Sequence, residues 1–327
     1  MSLDLTAPIF QDADKAREFL EANRWPNGAF CPHCGEAENV TAVQAKAKEA
    51  KAKTRKGLYQ CNSCRQQFSV TVGTVFERSH VPLNKWLLAT FLLTSSKKGM
   101  SAHQLMRTLG LGSYRTAWFM AHRIREAMIE GETGPLGSGG GTVEADETYF
   151  GSKEHKSTVR HDGKPYNKRG ARGVANKRAV VSLVERGGKV RSFHVKSADA
   201  ETVRAIVREN VANDAHLRTD ESALYNSFKG RFASHETVRH SSKQYVRPGN
   251  IHTNTIEGYF SIFKRGMTGI YQHCGEQHLQ RYLTEFDFRY SHRSVSDTER
   301  TALALKGIEG KRLTYRRVNR QGAEANA

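Results

Sequence analysis

Apolar residues recur at Ile256, Phe260 and Phe263, the three- and four-residue spacing of a helix that lays one face on a core. That spacing predicts a helix over residues 252–265. Similar patterns predict helices over 14–23, 200–211 and 276–290, and a more thoroughly apolar one over 83–94. Ser101-Ala102-His103-Gln104 reads as a capping box opening a helix over 102–109. Gly110-Leu111-Gly112 breaks it, and Ser113 caps a longer helix over 114–129. Strand patterns lie at 142–150, 180–185, 189–195, 216–219 and 236–239, with Gly187-Gly188 turning the second into the third. Residues 222–228 suit a short helix, and Tyr59 and residues 68–70 suit short strands. Strands interleaved with helices in the second half predict an α/β fold, a mixed sheet flanked by helices.

Turn-forming residues divide the chain. Residues 132–141 include Gly134-Pro135-Leu136-Gly137-Ser138 and three more glycines, and read as a flexible linker. The expected regions are an N-terminal helix with cysteine pairs over 1–78, a helical region over 79–131, the linker over 132–141, an α/β region over 142–293 and a tail over 294–327.

Charge narrows the partner. The 327 residues carry 51 Lys and Arg against 33 Asp and Glu, a net charge of +18. A surplus of this size suits a polyanionic partner, nucleic acid or an anionic membrane. A membrane is not expected as partner, because the longest apolar run, residues 86–93, is far short of the ~20 residues a spanning helix needs. The first residues have neither a basic nor an apolar leader segment, so a cytoplasmic, nucleoid-associated protein is expected.

The cysteines point to a metal. Cys31-Pro32-His33-Cys34 and Cys61-Asn62-Ser63-Cys64 are two knuckles, 26 residues apart (61 − 34 − 1). Each knuckle turn presents two thiolates, and four close a tetrahedral structural Zn²⁺ site, a zinc ribbon. Residues 45–56 read as a Lys/Ala-rich insertion between ribbon strands, and Cys274 as a small buried hydrophobe.

Two stretches suit DNA. Helix, three-residue Gly turn, helix is helix-turn-helix spacing. The second helix sets Arg115, His122, Arg123 and Arg125 against Trp118, Met120, Ala121 and Ile124, with Arg115 and Arg123 expected to contact a major groove. The alternative is an ordinary helical hairpin with a solvated basic face. Residues 151–178 hold nine Lys and Arg against two acids, and read as a mobile basic loop whose Lys168, Arg169 and Arg172 would meet phosphates.

The acids carry the candidate chemistry. Along strand 142–150, Glu144, Asp146 and Thr148 share one side, opposite Val143 and Ala145. Asp220 ends a later strand. If those strands are parallel neighbours, the two Asp carboxylates approach one another, and the helix of Glu257 can cover them. Carboxylates that close repel unless a cation neutralises them. Oxygen donors suit Mg²⁺, with Mn²⁺ as a substitute. Two such ions about 3.5–4 Å apart stabilise attacking and leaving oxygens in a displacement at phosphorus. Glu257 and Lys264 are seven residues apart, which aligns them within about 20° and about 10 Å along one helix face. Lys264, with Arg265 beside it, would grip a phosphate.

The element order, with acids on the first strand, the fourth strand and a late helix, resembles the RNase H-like core of DDE transposases. Glu144-Ala145-Asp146-Glu147-Thr148-Tyr149-Phe150-Gly151, Thr219-Asp220-Glu221 with Tyr225, and His252-Thr253-Asn254-Thr255-Ile256-Glu257-Gly258 with Lys264-Arg265-Gly266 resemble the ISXO-type insertion-sequence transposases. So does the run from Tyr271 through His278-Leu279, Arg281-Tyr282 and Glu285-Phe286 to Tyr290. That family carries an N-terminal zinc ribbon, which Cys31, Cys34, Cys61 and Cys64 match. The resemblance implies an RNase H-like catalytic domain preceded by a zinc ribbon and a helix-turn-helix. It implies a DDE transposase that recognises element ends, hydrolyses a phosphodiester at each and transfers the freed 3′-OH to target DNA, as a homodimer or larger oligomer on DNA. Asp146 would bridge two Mg²⁺, and Asp220 and Glu257 would hold one each, with Asn254 the alternative third ligand. Two other readings are an inactive transposase-derived regulator that binds DNA, and an RNase H-like nuclease.

Overall fold

The computed structural model describes residues 4–43, 56–131, 134–152, 158–159, 161–163, 165–166, 176–228, 230–239 and 246–314. The chain forms two compact units: residues 1–96, 100–129 and 296–327, and residues 97–99 and 130–295.

The first unit opens with helices α1 (Pro8–Gln11) and α2 (Ala13–Arg24). Asp12 starts α2, its carboxylate accepting the N–H groups of Asp14 and Lys15, and Ala16 and Leu20 are buried one turn apart. Strands β1 (Val40–Ala42), β2 (Tyr59–Cys61) and β3 (Gln67–Phe68) form an antiparallel ribbon in that order. β1 had no clear sequence signal, and the Lys/Ala-rich insertion lies outside the described residues except for Lys56. α3 (Leu83–Ser95) is buried on nearly every side, which its apolar run requires. α4 (Ala102–Thr108) and α5 (Tyr114–Ala127) follow and pack on one another. The Ser101 hydroxyl accepts the Gln104 N–H. Ser113 holds the cap position of α5, but its side chain makes no capping bond, contrary to expectation.

The second unit is a mixed five-stranded sheet. β4 (Thr142–Ser152), β7 (Lys177–Glu185), β8 (Val190–Val195), β9 (His216–Asp220) and β10 (Ser234–Val238) stand in the order β10-β9-β4-β7-β8. β4 pairs antiparallel with β7, and parallel with β9. The short strands β5 (Thr158–Val159) and β6 (Pro165–Tyr166) pair antiparallel, so the basic segment is not wholly a loop as expected. Lys168, Arg169 and Arg172 lie outside the described residues.

Helix α6 (Ala200–Asn210) and a 3₁₀ turn (Ala223–Phe228) cover one face of this sheet, while α7 (Asn254–Gly266) and α8 (Leu279–Ser291) cover the other. Val143, Ala145, Val181 and Leu183 face α6; Val180, Val184 and Val190 face α7 and α8. Burial on both faces explains why β7 reads as a continuous apolar run rather than an alternating one. Cys274 is buried in the α7–α8 cluster.

One expectation is corrected. Residues 134–141 are not a free linker. Leu136 is buried beside α6, Gly137 N–H donates to Glu185 Oε1 (2.9 Å) and Gly139 N–H to Asp214 Oδ2 (2.7 Å). A side chain at Gly137 would meet Ala215 Cβ at 2.6 Å and Val143 Cγ2 at 2.8 Å, so this glycine serves close packing as well as turning. Within the expected tail, α9 (Asp297–Lys306) belongs to the first unit and packs on α3 and α5. Among the described residues, no helix is long and apolar enough to cross a membrane.

Candidate metal centres and active site

Two hairpin-like turns build the cysteine site. Cys31 N–H donates to Glu36 O (2.7 Å), and Cys61 N–H to Gln66 O (3.0 Å), so each knuckle folds its two sulfurs to one side. Cys31 Sγ lies 3.6 Å from Cys64 Sγ, and Cys34 Sγ 3.7 Å from Cys61 Sγ. Sulfurs about 2.3 Å from a tetrahedral centre would be about 3.8 Å apart, so the set fits Zn²⁺. Among the described residues, these four are the one set of potential ligands whose donor atoms all lie within 4.8 Å of one another.

The sheet assembles the acids. The β4–β9 ladder pairs Thr142 with His216 and Glu144 with Arg218, and Asp146 and Asp220 each follow two residues beyond the last of these pairs. Glu257 lies on α7, which packs on β4. Burial, then the carboxylates of Glu147 and Asp220, push the Asp146 carboxyl up to about 8; the Glu147 N–H bond opposes this, and Glu257 adds to the rise. Asp146 therefore lies in the field of three other carboxylates. An all-oxygen set under such repulsion fits a hard divalent cation, though the acids do not close into a cluster as tight as the sulfurs. Thr253 Oγ1 donates to Glu257 Oε1 (3.3 Å), and Asn254 is the first residue of α7. Lys264 and Arg265 are exposed in the last turn of α7, and Arg265 Nε donates to Ser261 O (3.1 Å).

Several buried polar residues of this unit had no role assigned from the sequence. Tyr225 is buried and donates its hydroxyl to Glu147 Oε2 (2.8 Å), tying the 3₁₀ turn to β4. Asp287 on α8 accepts from Tyr259 of α7 (2.5 Å) and Ser192 Oγ of β8 (2.7 Å); burial pushes its carboxyl up to about 7, against those hydrogen bonds. Glu144, 0% exposed, accepts from Arg186 Nε (2.7 Å), Thr255 Oγ1 (2.8 Å) and the Ile256 N–H (2.9 Å). A charge among the apolar residues of a strand was the available signal for Glu144, since a buried carboxylate requires partners.

The basic face expected on α5 is corrected. His122, Arg123 and Arg125 are 1%, 7% and 2% exposed. Arg123 Nη2 donates to Glu77 O (2.6 Å), and its guanidinium lies 5.1 Å from the centre of the Trp86 ring. α5 packs against α3, α4 and α9, so long basic side chains are enclosed with their stems. Arg115, in the first turn, is exposed.

Comparison with known proteins places this architecture. Residues 11–67 match the transposase zinc-ribbon domain, and residues 139–291 match the ISXO2-like transposase domain. A protein of Halobacterium salinarum, described as an uncharacterized protein in transposable element ISH50, is 28% identical over 286 residues, 86% of this chain and 91% of that protein. The cysteine cluster falls inside the first match and Asp146, Asp220 and Glu257 inside the second, so the chain matches a transposase zinc ribbon followed by an ISXO2-like transposase domain.

Proposed function

We propose that this protein cuts DNA at the ends of an insertion sequence and joins the freed 3′-OH to target DNA, at a site formed by Asp146, Asp220 and Glu257. The observation that carries this reading is the parallel pairing of β4 with β9, together with Asp146 lying in the field of the Asp220 and Glu257 carboxylates. Numbered along the chain, the five strands stand in the order 3-2-1-4-5 with the first in the centre, which supports an RNase H-like domain. In this reading Asp146, Asp220 and Glu257 would hold the divalent ions. Two Mg²⁺ bound there would neutralise charge on the attacking and leaving oxygens. Lys264, farther along the exposed face of α7, holds a phosphate near the scissile bond, with Arg265 beside it. Zn²⁺ on Cys31, Cys34, Cys61 and Cys64 keeps the ribbon folded.

Duplex DNA, as element ends and as target, is the partner, bound by a homodimer or larger oligomer. In a helix-turn-helix the first residues of the second helix reach the bases. With Arg123 enclosed, that role passes to the exposed start of α5 around Arg115. Test: full-length protein, Mg²⁺ and duplexes carrying the element ends. Nicking at the ends that chelation abolishes is expected; end-specific binding without Mg²⁺-dependent nicking would favour a regulator instead. Glu257→Gln is expected to abolish nicking, whereas Asn254→Ala lowers it only in part, because an anionic oxygen serves a divalent cation better than an amide. The reverse ranking would make Asn254 the ligand.

A further inference from the structure

Glu144 and Asp146 lie on the same side of β4, one side-chain repeat apart, about 7 Å along the strand. The Glu144 carboxylate is fully buried, yet it serves α7 rather than its own strand. It accepts the Ile256 N–H (2.9 Å) and the Thr255 hydroxyl (2.8 Å), the two residues that immediately precede Glu257. Its third partner, Arg186, follows β7 directly. Beyond Glu144, Arg186 donates to Asn250 O (2.7 Å) and His252 O (2.8 Å), in the segment leading into α7. A guanidinium can only donate, so the Arg186–His252 Nδ1 contact (3.1 Å) makes that nitrogen an acceptor. The strand of Asp146 and the helix of Glu257 are thus joined by directed hydrogen bonds through one buried ion pair.

A buried pair of this kind contributes little net stability, because desolvation offsets the attraction, and apolar residues of equal volume hold a fold as well. What it supplies is direction. We propose that Glu144, held by Arg186, is a positioning residue of the acid site: it fixes the first turn of α7 to β4 and so sets the separation of Asp146 and Glu257. This rests on the assignment of Asp146, Asp220 and Glu257 as a divalent cation site.

The test is a Mn²⁺ titration of the zinc-loaded full chain, read as the rise in melting temperature. In the wild type the rise is saturable, and in Asp146→Asn it is lost. Glu144→Gln moves the Mn²⁺ midpoint up by ~10-fold or more, the usual cost of losing a partner that orients a metal ligand. Thr255→Val, which removes one hydrogen bond with little change of shape, moves it by about 2–3-fold, and it carries the test if Glu144→Gln fails to fold. Mg²⁺ half-saturation of end nicking shifts in the same order. Midpoints equal to the wild type in both Glu144→Gln and Thr255→Val, while Asp146→Asn loses the effect, would overturn the positioning role and reduce Glu144 to a structural group. A wild type that responds to Mn²⁺ no differently from Asp146→Asn would remove the acid-site assignment itself, and this inference with it.

Discussion

The ribbon and the acid site solve opposite problems. Four sulfurs meet within 4.8 Å through two local turns, each closed by a backbone hydrogen bond between residues five apart. Neutral thiols can approach before a cation arrives. The three acids come from a strand, the end of another strand and a helix, spread from residue 146 to residue 257, and their charges repel. In the proposed site their assembly rests on the pairing of β4 with β9 and on the buried Glu144–Arg186 tie between β4 and the segment leading into α7. Local chemistry closes one centre, whereas topology must hold the other open against its own charge.

That contrast has measurable consequences. The largest is expected at the ribbon: Cys31→Ser abolishes zinc binding and unfolds it, since structural zinc supplies ~10–16 kcal/mol of folding free energy in isolated fingers. Zinc analysis and limited proteolysis would detect a missing metal and a nicked N-terminal region beside an intact residue 130–295 unit. An acid-site variant should behave in the opposite way. Asp146→Asn and Asp220→Asn keep the zinc and the melting temperature, or raise the latter by removing repulsion, while end cleavage falls by ~10³-fold or more, about 4 kcal/mol of transition-state stabilisation. Cleavage by either variant at the wild-type rate would dismiss that residue as a ligand.

The same contrast explains what could be read from the chain. The cysteine spacing, the apolar stripe of Ile256, Phe260 and Phe263, and the Gly187-Gly188 hairpin are local patterns, and each lies where predicted. The enclosure of Arg123 was not legible, because a helical wheel shows charge but not the number of neighbours a helix will have. The ordering of residues 134–141 was hidden by glycine, whose freedom suits a linker and a close approach equally. Helix α9 did leave a signal. Ser296 and Glu299 form a capping box ahead of Thr301, Ala304 and Leu305, which are buried. The positions of Asp146 and Asp220 could be named, but their adjacency is a matter of strand order, which no local pattern encodes.

A smaller effect separates long-range ties from local turns. Glu130 meets His292, 162 residues away in sequence, and Lys189; hydrogen bonding to His292 first, then to Lys189, lowers its carboxyl to about 2 against the opposing desolvation. A lowered acid contributes stability above its usual value of 4.5 and loses that contribution as the pH falls through about 2. Glu130→Gln should therefore destabilise the protein by about 1 kcal/mol or less near neutral pH, the range for partly exposed pairs. In urea titrations the gap between variant and wild type should narrow below pH 4.5 and vanish near 2. A gap that persists at the acid end would mean that the ion pair is not its source.

The smallest effect compares the two halves of the ribbon. After each second cysteine the chain takes a left-handed turn, with Gly35 at φ 80° in one knuckle and Arg65 at φ 60° in the other. Glycine enters that region freely, whereas an L-residue pays ~1–2 kcal/mol there. Arg65→Gly removes the strain but loosens the unfolded chain, which returns ~0.4–1 kcal/mol. The net gain is about 0.5 kcal/mol, or roughly 2-fold in zinc affinity measured by competition with a chelator. Gly35→Ala should move affinity the other way by a similar amount, with backbone strain outweighing the stiffer unfolded chain, because no atom beyond its chain neighbours lies within 4 Å of the added methyl group. Neither change should alter the Mn²⁺ midpoint of the acid site. If Arg65→Gly weakened zinc binding, the Arg65 side chain would be supporting the knuckle, and the closure of this site would depend on more than its two turns.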